Sequence, residues 1–327
     1  MSDPKATRGA GGLAAGTPDG RAIHLGSEGH KVPFSKRLLA TTLTATGLPT
    51  ERAFSLAVEV EGQMRLEPDR EVDVERFREL VETVLAESEG ERYLRRFRMW
   101  NRLARQDKPV VVLIGGATGV GKSTIAAQVA DRLGLVRMIS TDSIREVMRA
   151  LFSASLMPAI HYSSYEAGEG VRIPIRSEFD SPVVGFMEQV DVVNVGILAL
   201  LDRAIEERTS MIVEGVHLVP GMLACRGAGA RMSEVVLLQM VVAVNDVKLH
   251  RSHFLVREQE TSGRRALARY LKSFEEIRKI QDFILERAEA EGTLVVNNVN
   301  IDNTVDLVVD ALYDVIERSE EVGDAGE

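Results

Sequence analysis

The sequence predicts an α/β protein in which a mostly parallel sheet is flanked by helices and preceded by a small α-rich domain. Three observations carry that reading. From residue 108 onward, short β-branched runs alternate with helical patterns, as strands buried on both faces do. The first run, Val110-Val111-Val112-Leu113-Ile114, empties into Gly115-Gly116-Ala117-Thr118-Gly119-Val120-Gly121-Lys122-Ser123-Thr124, a glycine-rich turn that opens an amphipathic helix. Residues 21–107, by contrast, show helical periodicity after one short extended piece ending at Val32-Pro33-Phe34.

Taken in order, residues 1–20 are rich in Gly, Ala and small polar side chains, too little apolar surface to offset ordering entropy, and are expected to form a disordered tail. The acidic end, residues 317–327, reads the same way. In the N-terminal domain Ser35 can cap a helix that Gly47 and Pro49 end, and helical patterns run from Glu51 to Met64, Val72 to Ala86 and Glu91 to Arg105. A boundary is expected near residue 107, where a basic stretch meets Pro109, so the second domain spans 108–316. Its candidate strands are Val110–Ile114, Val136–Ile139, Met211–Val213, Val235–Val244 and Leu294–Val296. About 70 residues separate the second from the third, long for one crossover, so extra helices that build a substrate site are expected there.

Composition narrows the function. With 45% hydrophobic residues the 327-residue chain can build a sizeable core. One cysteine, Cys225, excludes an internal disulfide framework and fits a reducing interior, so a cytoplasmic protein is expected. No apolar run reads as membrane-spanning, and a net charge of −9 argues against a nucleic-acid partner. A small anionic substrate needs only a few local arginines.

The spacing Gly116-x-x-x-x-Gly121-Lys122-Ser123 is that of a nucleoside-triphosphate loop. Its glycines let backbone N–H groups turn inward around phosphates, so residues Gly116, Ala117, Thr118, Gly119, Val120, Gly121, Lys122, Ser123 and Thr124 are expected to bind ATP. Lys122 reaches the outer phosphates, the Ser123 hydroxyl takes Mg²⁺, and the helix N-terminus faces the anion. This makes the sheet the core of a kinase-type P-loop NTPase.

Ligands of open α/β sheets sit beyond the carboxyl ends of the strands. After the second strand stands Asp142, a candidate base for an attacking hydroxyl, followed by Arg145 and Arg149 as an anion clamp. The competing assignment makes Thr141, Asp142 or Ser143 a helix N-cap, with Ser143-x-x-Glu146 as a capping box. After the third strand, Glu214 stands where such enzymes hold Mg²⁺ through water, and His217 is either a substrate contact or a packed loop histidine. Ser163, Ser164 and Tyr165, in the insertion, offer hydroxyls to substrate oxygens. Beyond the fourth strand Lys248, Arg251, Arg257, Arg264 and Arg265 read as a lid; Arg257 is taken as its catalytic arginine. Asn297-Asn298 either meets the adenine or ends the fifth strand.

The blocks 115–124, 139–149 and 213–221, with His161–Tyr165 and Phe274–Gln281, resemble the 2-phosphoglycerate kinase family over residues 109 to about 315. The resemblance implies phosphorylation of the 3-hydroxyl of 2-phosphoglycerate by MgATP, giving ADP and 2,3-bisphosphoglycerate. Residues 21–107 resemble the ATP-cone, a nucleotide-binding regulatory module, through Val32-Pro33-Phe34-Ser35-Lys36 and the helix that follows. A kinase of another hydroxy acid or polyol phosphate and a non-catalytic ATP sensor stay open alternatives at this point, and nothing in the sequence sets an oligomeric state.

Overall fold

The computed structural model describes residues 23–26, 32–67, 71–103, 108–171, 181–223, 231–260 and 267–324. The expected N-terminal tail and Cys225 lie outside them. The chain divides into two compact units, one of residues 1–41 and 49–91, the other of 42–48 and 92–327.

In the first unit β1 (His24–Leu25) pairs antiparallel with β2 (Val32–Pro33) and parallel with β3 (Glu71–Val72). α1 (Lys36–Ala45), whose residues from 42 on fall in the second unit, α2 (Thr50–Met64) and α3 (Val74–Ser88) follow the periodicity read from sequence. Asp73 caps α3 by accepting from the Arg76 N–H at 2.7 Å.

α4 (Glu91–Leu103) corrects the expected boundary near 107, because it belongs with the second unit. Its arginines explain why. Arg95 pairs with Asp314 and Glu317, and Arg96, only 2% exposed, pairs with Asp306 and Asp310 of α11 (Ile301–Asp324). The same contacts correct the expected acidic tail: α11 carries the chain on to Asp324 as helix.

The second unit is built on a five-stranded parallel sheet ordered β5-β6-β4-β7-β8, from β4 (Val110–Gly115), β5 (Arg137–Ser140), β6 (Met211–Glu214), β7 (Val236–Ala243) and β8 (Leu294–Asn297). All five expected strands are present to within about a residue at either end. Alternation along β4 splits the core: Val110, Val112 and Ile114 join the cluster of α5 (Lys122–Leu133), α10 (Phe274–Ala290) and α11, whereas Val111 and Leu113 face α6 (Thr141–Leu151) and most of α7 (Ser181–Glu206). Both faces of the central strand are thereby covered, as its unbroken apolar run demands.

The insertion between β5 and β6 holds α6, the 3₁₀ turns Ala159–His161 and Ser164–Gly170, and α7. α7 corrects one expectation: by length and composition it is apolar enough to cross a membrane. Here Phe186, Val190, Val193 and Ile197 are fully buried against the sheet, with Gln189 and Asn194 buried among them. After β7 come α8 (Val247–Glu260) and α9 (Leu267–Lys272).

Candidate active site

Parallel register brings the site together. Glu214 at the end of β6 pairs with Ile114 of β4 on one side and Ser140 of β5 on the other, so the glycine loop, Glu214 and Asp142 converge at one sheet edge. They border a cavity of about 560 Å³, lined by residues Thr118 to Thr124 of the loop except Val120, by Ser140, Asp142 and Glu214 to Val216, and by His253, Asn298 and Ile301.

The loop has the backbone its glycines were expected to provide. Gly119 and Gly121 sit at φ 86° and 92°, in the left-handed region where a Cβ is strained. On Gly119 a Cβ would also strike the Phe254 ring. Gly121 is the N-cap of α5 and brings no side chain to it, which leaves the first N–H groups of the helix for an anion. Ala117 and Val120 turn into the core, fully buried. The Lys122 amine donates to the Ala117 carbonyl at 2.7 Å, and its pKa is pushed below the ordinary lysine value by burial, against the opposing pull of Glu214 and Asp142.

Ser123 Oγ donates to Glu214 Oε1 at 3.0 Å. This hydroxyl–carboxylate pair on the cavity wall consists of hard oxygen donors of the kind Mg²⁺ prefers. Among the described residues no group of three or more His, Cys, Asp or Glu could hold a metal ion.

Asp142 is free of capping duty. Ser140 caps α6 instead, accepting from the Ser143 N–H at 3.1 Å, one residue earlier than the sequence suggested. The expected capping box is absent because Glu146 pairs with Arg145 and Arg149 at 3.0 and 2.8 Å. The Asp142 carboxylate, 67% exposed, faces Arg145 Nε at 3.3 Å.

Other expected substrate contacts lie away from the cavity. Arg145 is 12% exposed and donates to the carbonyls of Ile160 and Tyr162, so it staples the first 3₁₀ turn of the insertion to α6. Arg149 pairs through Nη1 with Glu146 at 2.8 Å. Ser164 and Tyr165 are buried, Tyr165 against Tyr270, while Ser163 accepts from Arg269 at 3.4 Å. His217 is fully buried: Nδ1 accepts from the Thr141 hydroxyl at 2.7 Å and Nε2 donates to Gln189 Oε1 at 3.0 Å. That tautomer follows from Gln189, whose amide nitrogen is committed to the Ala159 and Tyr162 carbonyls. Burial lowers the His217 pKa to about 4. Its hydroxyl partner precedes Asp142, and Gly215 lacks the Cβ that would block Thr141. His217 therefore fastens the Glu214 segment to the Asp142 segment. Arg257 lies on α8, with its side chain outside the described residues, as are Arg264 and Arg265 altogether.

A family model described as Zeta toxin matches residues 96–168. Over 293 residues the chain is 37% identical to a 2-phosphoglycerate kinase of Methanopyrus kandleri, covering 88% of this chain and 86% of that protein. It is 36% identical to the 2-phosphoglycerate kinases of Methanothermobacter thermautotrophicus (89% and 94% covered) and Thermococcus kodakarensis (90% and 96%). The chain belongs to the 2-phosphoglycerate kinase family. It is thus a P-loop kinase, a phosphotransferase with an alcohol group as acceptor. Among solved structures, a gluconokinase from Sinorhizobium meliloti covers 68% of this chain and 100% of its own at 12% identity and a TM-score of 0.39.

In this member of the 2-phosphoglycerate kinase family three further side chains hold the loop: His250 and His253, which the sequence did not single out, and Asn298, which it offered only for the adenine or the strand end. His250 Nε2 donates to the Thr118 carbonyl at 2.8 Å, His253 Nδ1 to that of Gly119 at 2.9 Å, and Asn298 Nδ2 to that of Val120 at 2.9 Å. The one signal was spacing: histidines three apart on a helix share a face.

Proposed function

We propose that this chain, acting in the cytoplasm, transfers the terminal phosphoryl group of MgATP to the 3-hydroxyl of 2-phosphoglycerate, giving ADP and 2,3-bisphosphoglycerate. The observation that carries this reading is the exposed Asp142 carboxylate lining the same cavity as Lys122 and the Ser123–Glu214 pair, in a chain aligned nearly end to end with 2-phosphoglycerate kinases. The loop amides and the N-terminus of α5 bind the phosphates, and Lys122 exchanges the Ala117 carbonyl for a phosphate oxygen. Ser123 and Glu214 hold Mg²⁺, which when bound neutralises charge between the outer phosphates. Asp142 orients the acceptor hydroxyl and takes its proton. Arg257, one turn beyond His253 on α8, is the lid arginine that stabilises charge on the group in transit. Positioning and charge neutralisation do the work, with no covalent enzyme intermediate.

The test is acceptor profiling with phosphorus NMR on the purified chain. ADP release coupled one for one to 2,3-bisphosphoglycerate with 2-phosphoglycerate, and absent with 3-phosphoglycerate or sugar phosphates, is expected. Equal turnover with those acids, or ATP binding without transfer to any of them, would overturn it. For the first unit, which ends at residue 91, the proposal is a cone-like regulatory role, tested by whether ATP still binds when the P-loop is disabled by Lys122→Ala.

A further inference from the structure

Four consecutive carbonyls of the phosphate loop, Ala117 to Val120, each receive a side-chain hydrogen bond, from Lys122, His250, His253 and Asn298 in turn. A planar trans peptide carries its C=O and N–H on opposite sides, so holding these carbonyls fixes where the N–H groups of Thr118, Gly119, Val120 and Gly121 point. Lys122 is needed by the phosphates. The lasting donors are therefore the other three, and two of them come from α8.

These two histidines are held to their task from behind. Each donates to a carbonyl, so the bonding nitrogen carries the proton: Nε2 in His250, Nδ1 in His253. The His250 ring stacks on Phe254 at 5.6 Å and meets Phe274 edge-on at 5.3 Å, and its Nδ1 faces Arg278 Nη1 at 3.5 Å. Phe254 in turn lies against Gly119, closing the space between α8 and the loop. His253 is half-buried and borders the cavity.

We infer that His250 and His253 are positioning residues for phosphoryl transfer: through the Thr118 and Gly119 carbonyls they set the amides that grip the triphosphate. This rests on the reading of the cavity as the MgATP site and is independent of which acid is the acceptor. It also ties the loop to α8, the helix that carries Arg257.

The two histidines use different nitrogens, and that makes the test specific. An asparagine amide reaches the position of Nδ1 and a glutamine amide that of Nε2. MgATP is titrated calorimetrically into the full chain without acceptor. His253→Gln and His250→Asn are expected to weaken binding about tenfold, one net hydrogen bond, while His253→Asn and His250→Gln stay within about threefold of wild type. The half-buried position 253 decides the matter if the buried 250 variants do not fold. Equal affinity of His253→Asn and His253→Gln, both tight or both weak, would overturn the inference, since packing alone does not distinguish the two nitrogens. A wild-type chain that binds no MgATP would overturn the cavity reading along with it.

Discussion

Replacing His217 with alanine removes a ring that is fully buried and hydrogen-bonded at both nitrogens, at 2.7 Å to Thr141 and 3.0 Å to Gln189. The Thr141 hydroxyl and the Gln189 carbonyl are then left in the interior without partners, at about 1–3 kcal/mol each, so a loss of about 3 kcal/mol is expected at neutral pH. The loss depends on pH with a definite sign. Burial holds the folded imidazole at about 4 against 6.5 in the unfolded chain, so between those values only the unfolded state takes up the proton. Wild type keeps this stability in full above pH 6.5 and sheds it as pH falls toward 4, a drop of about 2–3 kcal/mol by about pH 4.5. The variant has no such group. His250, also lowered to about 4 by burial, contributes equally to both proteins and cancels in the difference. Urea unfolding of wild type and His217→Ala, followed by the single tryptophan, Trp100 of α4, should show the gap closing to under about 1 kcal/mol by about pH 4.5. A gap that is small at neutral pH, or that stays constant as pH falls, would refute the assignment of His217 as a buried neutral tie.

Three further outcomes are expected. Lys122→Ala should abolish phosphoryl transfer while its unfolding midpoint without ligand is unchanged or raised, because burial already disfavours the charged amine; calorimetry and an ADP-release assay read both. Glu214→Gln keeps an acceptor for Ser123 but loses the charge, and should raise the Mg²⁺ needed for half-maximal activity about tenfold or more at fixed ATP. Arg96→Met leaves the Thr46 carbonyl without its donor, Asp310 with only the longer contact to Arg92 at 3.5 Å, and Asp306 with Arg92 and Arg132, and urea unfolding should register a loss of about 1–3 kcal/mol.

What could be read from the sequence was local. The glycine loop, the strand that feeds it and the five β-branched runs are defined by residues adjacent in the chain, and Asp142 and Glu214 follow from the rule that sites lie at strand ends. What escaped reading was long-range pairing of polar side chains. Nothing local tells that Arg145 reaches the carbonyls of Ile160 and Tyr162, or that His217 is sealed between Thr141 and Gln189. The acidic end looked like a solvated tail because the partner of its first residue, Glu317, is Arg95, over two hundred residues earlier in the chain. The strands of the N-terminal unit are two residues each, too short for any period to show.

The central claim is that Asp142 faces an acceptor hydroxyl across from a loop-bound triphosphate. Asp142→Asn tests it most directly, by turnover with 2-phosphoglycerate and MgATP affinity measured on the same preparation. Turnover about 10²–10⁴-fold below wild type with MgATP affinity essentially unchanged is the expected result; near-wild-type turnover, or loss of ATP binding in step with activity, would contradict it.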